Sequence, residues 1–233
     1  MKVSIIIPVY NEGNNIKIIL DRVMEAKTSG ISHKEIIIVN DGSTDNTLEV
    51  LEGIKKTNGN GMKVINLTEN KGKGRAIREG LKYVTGDIVI MQDGDLEYDP
   101  DDYNKLLKEI ISGGNEVVYG SRTLNKDNRS CYFVYSAGGR FLSWLANLLY
   151  NSHLTDMPTG YKVFRADVLK GIRLKCEGFE FCPEITAKIL KKGIKIMEVP
   201  IKYSPRKMSE GKKIRWHEGF IAAWTMLKYR IID

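Results

Sequence analysis

Cysteine is scarce in this chain and odd in number: Cys131, Cys176 and Cys182 are the only 3 in 233 residues. Their spacing offers neither a disulfide framework nor a metal knuckle, which points to a reducing, cytoplasmic setting. Histidine is equally sparse. His33, His153 and His217 fall in no metal-ligating or triad pattern, and none is assigned a role. No apolar run reaches the roughly 18 residues of a membrane-spanning helix. Met1 leads directly into the strand pattern Val3–Ile7, without a signal peptide. The expectation is a soluble or peripheral protein. No repeat, low-complexity tract or linker divides the chain, so residues 1–233 are expected to fold as one domain with an ample core.

Charge is present but unevenly placed. The net charge is +7. Residues 1–117 carry 15 basic and 19 acidic side chains, and residues 118–233 carry 21 and 10. An acidic half followed by a basic half suits a metal-centred site beside a surface that meets anions, whether phosphates, lipid headgroups or nucleic acid. A merely soluble basic surface satisfies the same counts.

The first half alternates strand and helix patterns. Strands are expected at Val3–Val9, Glu35–Asn40, Lys63–Leu67, Gly86–Met91 and Glu116–Tyr119. Helices are expected at 14–27, at 44–56 with Ser43 or Thr44 as cap, at 74–84, and from Asp99 or Pro100 to Ile111. This βαβα rhythm predicts an α/β fold with a largely parallel, doubly wound sheet. The second half is less regular. Helices are expected at Tyr132–Tyr150, Pro183–Lys192 and Ile214–Ile232, strands at Tyr161–Arg165 and Lys195–Tyr203, and a basic loop at Ser204–Lys213.

Four polar motifs follow four successive strands, at the rim where open α/β sheets bind ligands. The first is Pro8-Val-Tyr-Asn-Glu12; alone it reads equally as a strand-to-helix turn. The second is Asn40-Asp-Gly-Ser-Thr-Asp45, in which Asp41 and Asp45 suit a base or ribose, or else an Asx turn and cap. The third, Asn70-Lys-Gly-Lys-Gly-Arg75, offers Lys71, Lys73 and Arg75 near a helix start as a phosphate cradle. It lacks Gly-Lys-Ser/Thr, which excludes a P-loop triphosphatase. The absence of Gly-x-Gly-x-x-Gly after the first strand disfavours a nicotinamide oxidoreductase. The fourth motif is Asp93-Gly-Asp-Leu-Glu97. Carboxylates crowded at a strand end repel each other unless a cation sits between them. A hard divalent ion holding a substrate diphosphate answers that need.

As a set, these motifs resemble the inverting glycosyltransferases of family two, with the Rossmann-like GT-A fold and helices on both faces of the sheet. Later segments resemble its dolichol-phosphate, or polyprenyl-phosphate, mannosyltransferase branch: Tyr119-Gly-Ser-Arg122, Thr155-Asp-Met-Pro-Thr-Gly-Tyr-Lys-Val-Phe-Arg165, Pro183-Glu-Ile-Thr-Ala-Lys188 and Glu198-Val-Pro-Ile with Arg206 and Glu210-Gly-Lys-Lys213. The resemblance spans nearly the whole chain. It implies that Pro8, Tyr10, Glu12 and Asp41 line the nucleotide pocket, with Lys73 on the donor side. It implies Mg²⁺ or Mn²⁺ on Asp93, Asp95 and Glu97. Glu97 departs from the glutamine frequent at that place and adds charge. Arg122, helped by Arg129 and Ser136, would grip an acceptor phosphate. Arg206 and Lys212 would close over the donor from a loop. Asp95 and Arg122 are the two expected catalytic groups.

The implied reaction transfers a hexose from a nucleoside diphosphate sugar to dolichyl or polyprenyl phosphate. GDP-mannose is the leading donor, with UDP-glucose and UDP-N-acetylglucosamine as rivals. A phosphate acceptor with second pKa near 6 is largely a dianion at pH 7 and needs cations rather than a base. Asp156, the one tempting base, is read as a loop anchor. The partners would be that sugar nucleotide, the lipid phosphate and the cytoplasmic face of a membrane, met peripherally, but no nucleic acid. Docking would use the aromatic 132–150 segment and an amphipathic C-terminal helix with Trp216, Phe220 and Trp224; packing in the core is the alternative for each. Rival readings are transfer to a saccharide or protein hydroxyl, and a non-catalytic module for anionic membrane or nucleic acid.

Overall fold

The computed structural model describes residues 1–58, 61–128, 133–206 and 217–232. Strands β1 (Lys2–Val9), β2 (His33–Asn40), β3 (Met62–Asn66) and β4 (Ile88–Met91) alternate with helices α1 (Ile16–Glu25), α2 (Thr47–Asn58) and α3 (Lys73–Leu81). A 3₁₀ turn at Pro100–Asp102 leads into α4 (Tyr103–Ile111), followed by β5 (Val117–Ser121) and α5 (Phe133–Tyr150). Then come β6 (Lys162–Arg165), α6 (Ala166–Lys170), α7 (Phe181–Lys191), β7 (Ile196–Pro200) and α8 (Glu218–Ile231). Over the described residues the expected strands and helices are present, while 207–216, which hold most of the expected basic loop and the start of the last expected helix with Trp216, lie outside them; α6 was not anticipated, being only 5 residues long.

The strands form one seven-stranded sheet in the order β3-β2-β1-β4-β6-β5-β7. All pairings are parallel except those of β6, which runs antiparallel to both β4 and β5. The β-branched runs Ile5-Ile-Ile7, Ile36-Ile-Ile-Val39 and Ile88-Val-Ile90 are buried on both faces, as a covered parallel sheet requires. Alternation divides them: Ile5 and Ile7 join Leu20, Tyr103 and Leu106 in one core, while Ile6 and Val89 join Ile77, Phe181 and Ile185 in another. A third, smaller core lies between α5 and α8, built on Leu142, Ala146, Ala222 and Met226.

One cap differs from expectation. Helix α2 begins at Thr47, and the Asp45 carboxylate, not Ser43 or Thr44, accepts from the Thr47 backbone N–H at 3.0 Å. Ser43 instead turns to the first loop, where its hydroxyl accepts from the Asn11 N–H at 2.9 Å.

Lys162 opens β6 with no exposed surface. Its Nζ donates to the Met157 carbonyl at 2.9 Å and lies 3.5 Å from the Tyr119 ring centroid. Burial lowers its pKa from 10.5 to about 8. Between those values the unfolded chain holds more protons than the folded one, so this group makes stability rise with pH. At pH 7 its charging costs about 3 kcal/mol. Lys162→Met is therefore expected to stabilise the protein by about 1–2 kcal/mol at pH 7, after allowance for the lost hydrogen bond. The gain should vanish or reverse near pH 10. Denaturant titrations of both proteins at the two pH values check this, and a difference that ignores pH contradicts it.

Candidate active site

Three parallel strands, β1, β2 and β4, deliver their C-terminal ends to one rim. Because β6 runs the other way, its N-terminal end and the loop 154–161 reach that same rim between β4 and β5. The result is a cleft of about 900 Å³. Pro8, Tyr10 and Glu12 enter it after β1, Asp41 after β2, Lys73 from the start of α3, and Asp93, Asp95 and Glu97 after β4. Arg122 follows β5, Ser136 lies near the start of α5, and Arg206 reaches in from beyond β7. These described candidates thus line one cavity. Arg129 and Lys212 lie outside the described residues.

The acidic end is held by two cations from distant parts of the chain. Lys73 Nζ pairs with the Asp93 carboxylate. Arg206 spans the gap, with Nη2 2.6 Å from Asp95 Oδ2 and Nη1 3.0 Å from Glu12 Oε1. Its Nε is buried without a hydrogen-bond partner among the described residues. Burial and the neighbouring Asp93 charge push the Asp95 carboxyl up to about 7, against the pull of Arg206. For Lys73, burial is more than offset by Asp93, and its ammonium is held above the usual range. Gly160 matters here because a Cβ would collide with the Asp93 carboxylate, so no larger residue lets that side chain sit against the loop.

Glu97 turns away from the pair: its Oε2 accepts from the Tyr203 hydroxyl at 2.9 Å and its Oε1 from the Arg206 backbone N–H at 2.8 Å. Among the described residues, no three His, Cys, Asp or Glu side chains converge as a metal cage. This differs from the expected set of three ligands. Mg²⁺ is commonly held by one or two carboxylates, with water and substrate phosphate filling its other positions. Asp93 and Asp95 fit that mode: two close carboxylates, one pushed toward the neutral form, held by the side-chain cations Lys73 and Arg206 and, at Asp95, by the Glu97 backbone N–H at 3.0 Å.

Part of the glycine–lysine motif is spent on holding Asp41. The backbone N–H groups of Lys71 and Gly72 donate to the Asp41 carboxylate at 3.2 and 2.7 Å. Gly72 adopts φ 105, and a Cβ there would lie 2.7 Å from the Glu177 carbonyl oxygen, so only glycine suits the bend. Arg75 turns to Glu79 and Glu177, and Lys71 to Glu69. Of the three expected cations only Lys73 enters the cleft. Asp45 is likewise absent from its lining and caps α2 instead.

At the opposite end, Arg122 forms a two-point pair with Asp156: Nε to Oδ2 at 2.7 Å and Nη2 to Oδ1 at 2.7 Å, with its backbone N–H also donating to Oδ2. Burial alone would raise the Asp156 carboxyl, but the guanidinium overcomes this and holds it below the ordinary carboxylate range. Glu198 anchors the loop from β7, accepting from the N–H groups of Thr155 and Asp156 at 2.7 and 2.9 Å. The anchoring role expected of Asp156 is therefore carried out on Arg122 itself.

Three contributors escaped the sequence reading. Tyr203 places its ring 5.0 Å from the Arg122 guanidinium carbon while its hydroxyl reaches Glu97, linking the two ends of the cleft. Asn128 ties the Arg122 and Ile201 carbonyls to the Tyr203 N–H. The Tyr98 hydroxyl accepts from the Gly160 N–H at 2.8 Å. No spacing rule couples residues 97, 122 and 203; the one available signal was Tyr98 adjoining the acidic motif.

Comparison with known proteins agrees with this arrangement. The model of "Glycosyl transferase family 2" matches residues 4–173. A dolichol-phosphate mannosyltransferase of Pyrococcus furiosus is 32% identical over 215 residues, which is 91% of this chain and 59% of that protein. A UDP-N-acetylglucosamine–dolichyl-phosphate N-acetylglucosaminyltransferase of Methanococcus voltae is 32% identical over 231 residues, covering 91% of this chain and 90% of that one. The chain thus spans well under two thirds of the first relative and nearly all of the second. Among solved structures, the Mycobacterium tuberculosis glucosyl-3-phosphoglycerate synthase bound to UDP superposes with a TM-score of 0.73 at 17% identity, over 100% of this chain and 81% of that one. Its complex with Mn²⁺, UDP-glucose and phosphoglyceric acid gives 0.73 at 18%, over 100% and 80%. The sheet order, the rim site and these matches together mean that the chain has the GT-A fold and belongs to glycosyl transferase family 2.

Proposed function

We propose that this protein transfers a hexose, with inversion, from a nucleoside diphosphate sugar to a polyprenyl or dolichyl phosphate at the cytoplasmic face of a membrane. The observation that carries the acceptor assignment is the Arg122–Asp156 pair. A hydroxyl acceptor needs a carboxylate base beside the anomeric carbon. The carboxylate available at that end, Asp156, is engaged at both oxygens by Arg122 and held weakly basic. What the end offers instead is a guanidinium fixed in direction, suited to an acceptor that is already a dianion.

The residues then divide the work. Pro8, Tyr10, Glu12 and Asp41 surround the nucleotide, and Lys73 and Arg206 stand beside its diphosphate. Asp93 and Asp95 would hold Mg²⁺ or Mn²⁺, which when bound neutralises charge on the departing diphosphate. Arg122, with Ser136 nearby, directs the acceptor oxygen at the anomeric carbon from the face opposite the leaving group. The C1–O bond to the diphosphate breaks as the new phosphate ester forms, and no proton need be removed.

GDP-mannose is our leading donor, in line with the relative from Pyrococcus furiosus, whereas the Methanococcus voltae relative makes UDP-N-acetylglucosamine the rival. A panel of radiolabelled GDP- and UDP-sugars against polyprenyl phosphate, with and without chelator, tests the reading. Labelled lipid from GDP-mannose, lost on chelation and restored by Mn²⁺, is the expected result. Labelling confined to saccharide acceptors would overturn the acceptor, and a UDP-sugar product would overturn the donor.

A further inference from the structure

The backbone that follows β7 finds an acceptor for each of its N–H groups from residue 201 to 206. Ile201 donates to the Ser121 carbonyl at 3.2 Å, Lys202 to the Asp102 carboxylate at 2.6 Å and Tyr203 to the Asn128 side chain at 3.0 Å. The remaining two go to one residue. Ser204 donates to the Glu97 carbonyl at 2.9 Å and Arg206 to Glu97 Oε1 at 2.8 Å, while Pro205 has no N–H to place. Glu97 Oε2 takes the Tyr203 hydroxyl at 2.9 Å. Tyr98, beside Glu97, forms an antiparallel bridge with Tyr203, and the two rings lie 5.2 Å apart. Both carboxylate oxygens and the main chain of Glu97 are thus turned to the segment that carries Arg206, whose guanidinium spans Asp95 and Glu12.

We propose that Glu97, acting with Tyr203, is a positioning residue for Arg206 and not a ligand of the metal; this rests on the diphosphate-donor reading above. A cation on a freely moving segment loses much of its contribution to binding in the ordering of that segment. Glu97 does that ordering before any substrate arrives. With its N–H fixed, Arg206 has only side-chain torsions left to set, and it can exchange Asp95 and Glu12 for a diphosphate by turning about them. Tyr203 extends the same hold to the acceptor end, because the ring whose hydroxyl Glu97 fixes lies 5.0 Å from the Arg122 guanidinium carbon. The arrangement calls for a carboxylate. Each of its two oxygens accepts from a different donor, and an amide, with one of those atoms turned into a donor itself, serves only one of them.

Two near-isosteric substitutions separate the roles. Glu97→Gln keeps an oxygen for a metal but loses one of the two contacts to the segment. Tyr203→Phe leaves Glu97 untouched and removes only the hydroxyl. Amide hydrogen exchange of the ligand-free full chain, read on peptides containing Ser204 and Arg206, should speed up by about tenfold in both variants. Rates that ignore both substitutions overturn the proposal. Binding of GDP, and separately of UDP, with Mn²⁺ is then compared by calorimetry in the wild type, Y203F, E97Q, R206A and the Y203F/R206A pair. Tyr203→Phe and Glu97→Gln should each weaken the bound nucleotide by about 3- to 10-fold. Tyr203→Phe should cost nothing further once Arg206 is alanine, since the residue acts through that guanidinium. An equal loss in both backgrounds gives Tyr203 a merely structural part and overturns the proposal. So does a Tyr203→Phe protein of wild-type affinity beside a Glu97→Gln protein that has lost it, because Glu97 would then meet the metal or nucleotide directly. Wild type that binds neither nucleotide rejects the donor reading, and the exchange rates still decide the role of Glu97.

Discussion

Asp95→Asn is expected to lower glycosyl transfer by about 10³-fold, read as labelled lipid product at saturating donor, acceptor and Mn²⁺. The amide keeps the size of the side chain but removes the charge that faces Asp93 and Arg206. Arg206 then leans on Glu12 alone, and the leaving diphosphate loses part of its electrostatic support. The fold should survive, with an unfolding midpoint no lower than wild type, because a neutral amide is less costly to bury than a crowded carboxylate. Full turnover by the variant would remove Asp95 from the reaction. An unfolded variant would be checked against Asp93→Asn, in which the neighbouring carboxylate remains to balance Arg206.

Arg122→Ala is expected to act twice. It leaves Asp156, only 4% exposed, as a buried charge without its partner, at a cost of about 3–5 kcal/mol. It also weakens use of the lipid phosphate by about 10- to 100-fold, the loss of charge-assisted contacts to the acceptor. The double variant Arg122→Ala/Asp156→Ala separates the two effects: most of the stability should return, because no orphaned carboxylate remains, while acceptor use stays low. Chemical denaturation measures the first effect, and the acceptor KM against the donor dissociation constant measures the second. Equal losses for donor and acceptor would deny Arg122 its place at the acceptor end.

Much of this arrangement was legible along the chain, for local reasons. The strand runs around Ile5, Ile37 and Val89 announce themselves by β-branching, and each hands over to a polar motif within a few residues. Proximity to a strand end was therefore enough to place Tyr10, Asp41 and Asp93 on one rim. The direction of β6 was not legible, since Tyr161-Lys-Val-Phe-Arg165 reads the same whichever way its neighbours run. Nor was the use made of Lys71 and Gly72, whose N–H groups serve Asp41 because of a backbone bend, or of Arg75, which finds Glu177 about a hundred residues away. Glu97 shows the same limit from the other side. Its spacing from Asp95 places it at the site, but its partner Tyr203 lies more than a hundred residues further on, and pairing at that distance is decided by folding, not by spacing.

The reversed sixth strand has a consequence for how such a protein can change. At its entry, Gly160 abuts Asp93, and a few residues earlier Asp156 grips Arg122, so one short segment braces Asp93 and Arg122 at once. A slide of that strand by one position, about 3.3 Å, would displace both supports together. Variation is then open to the loops around the rim but closed to this strand, whose register ties Asp93 and the Arg122–Asp156 pair to a common geometry.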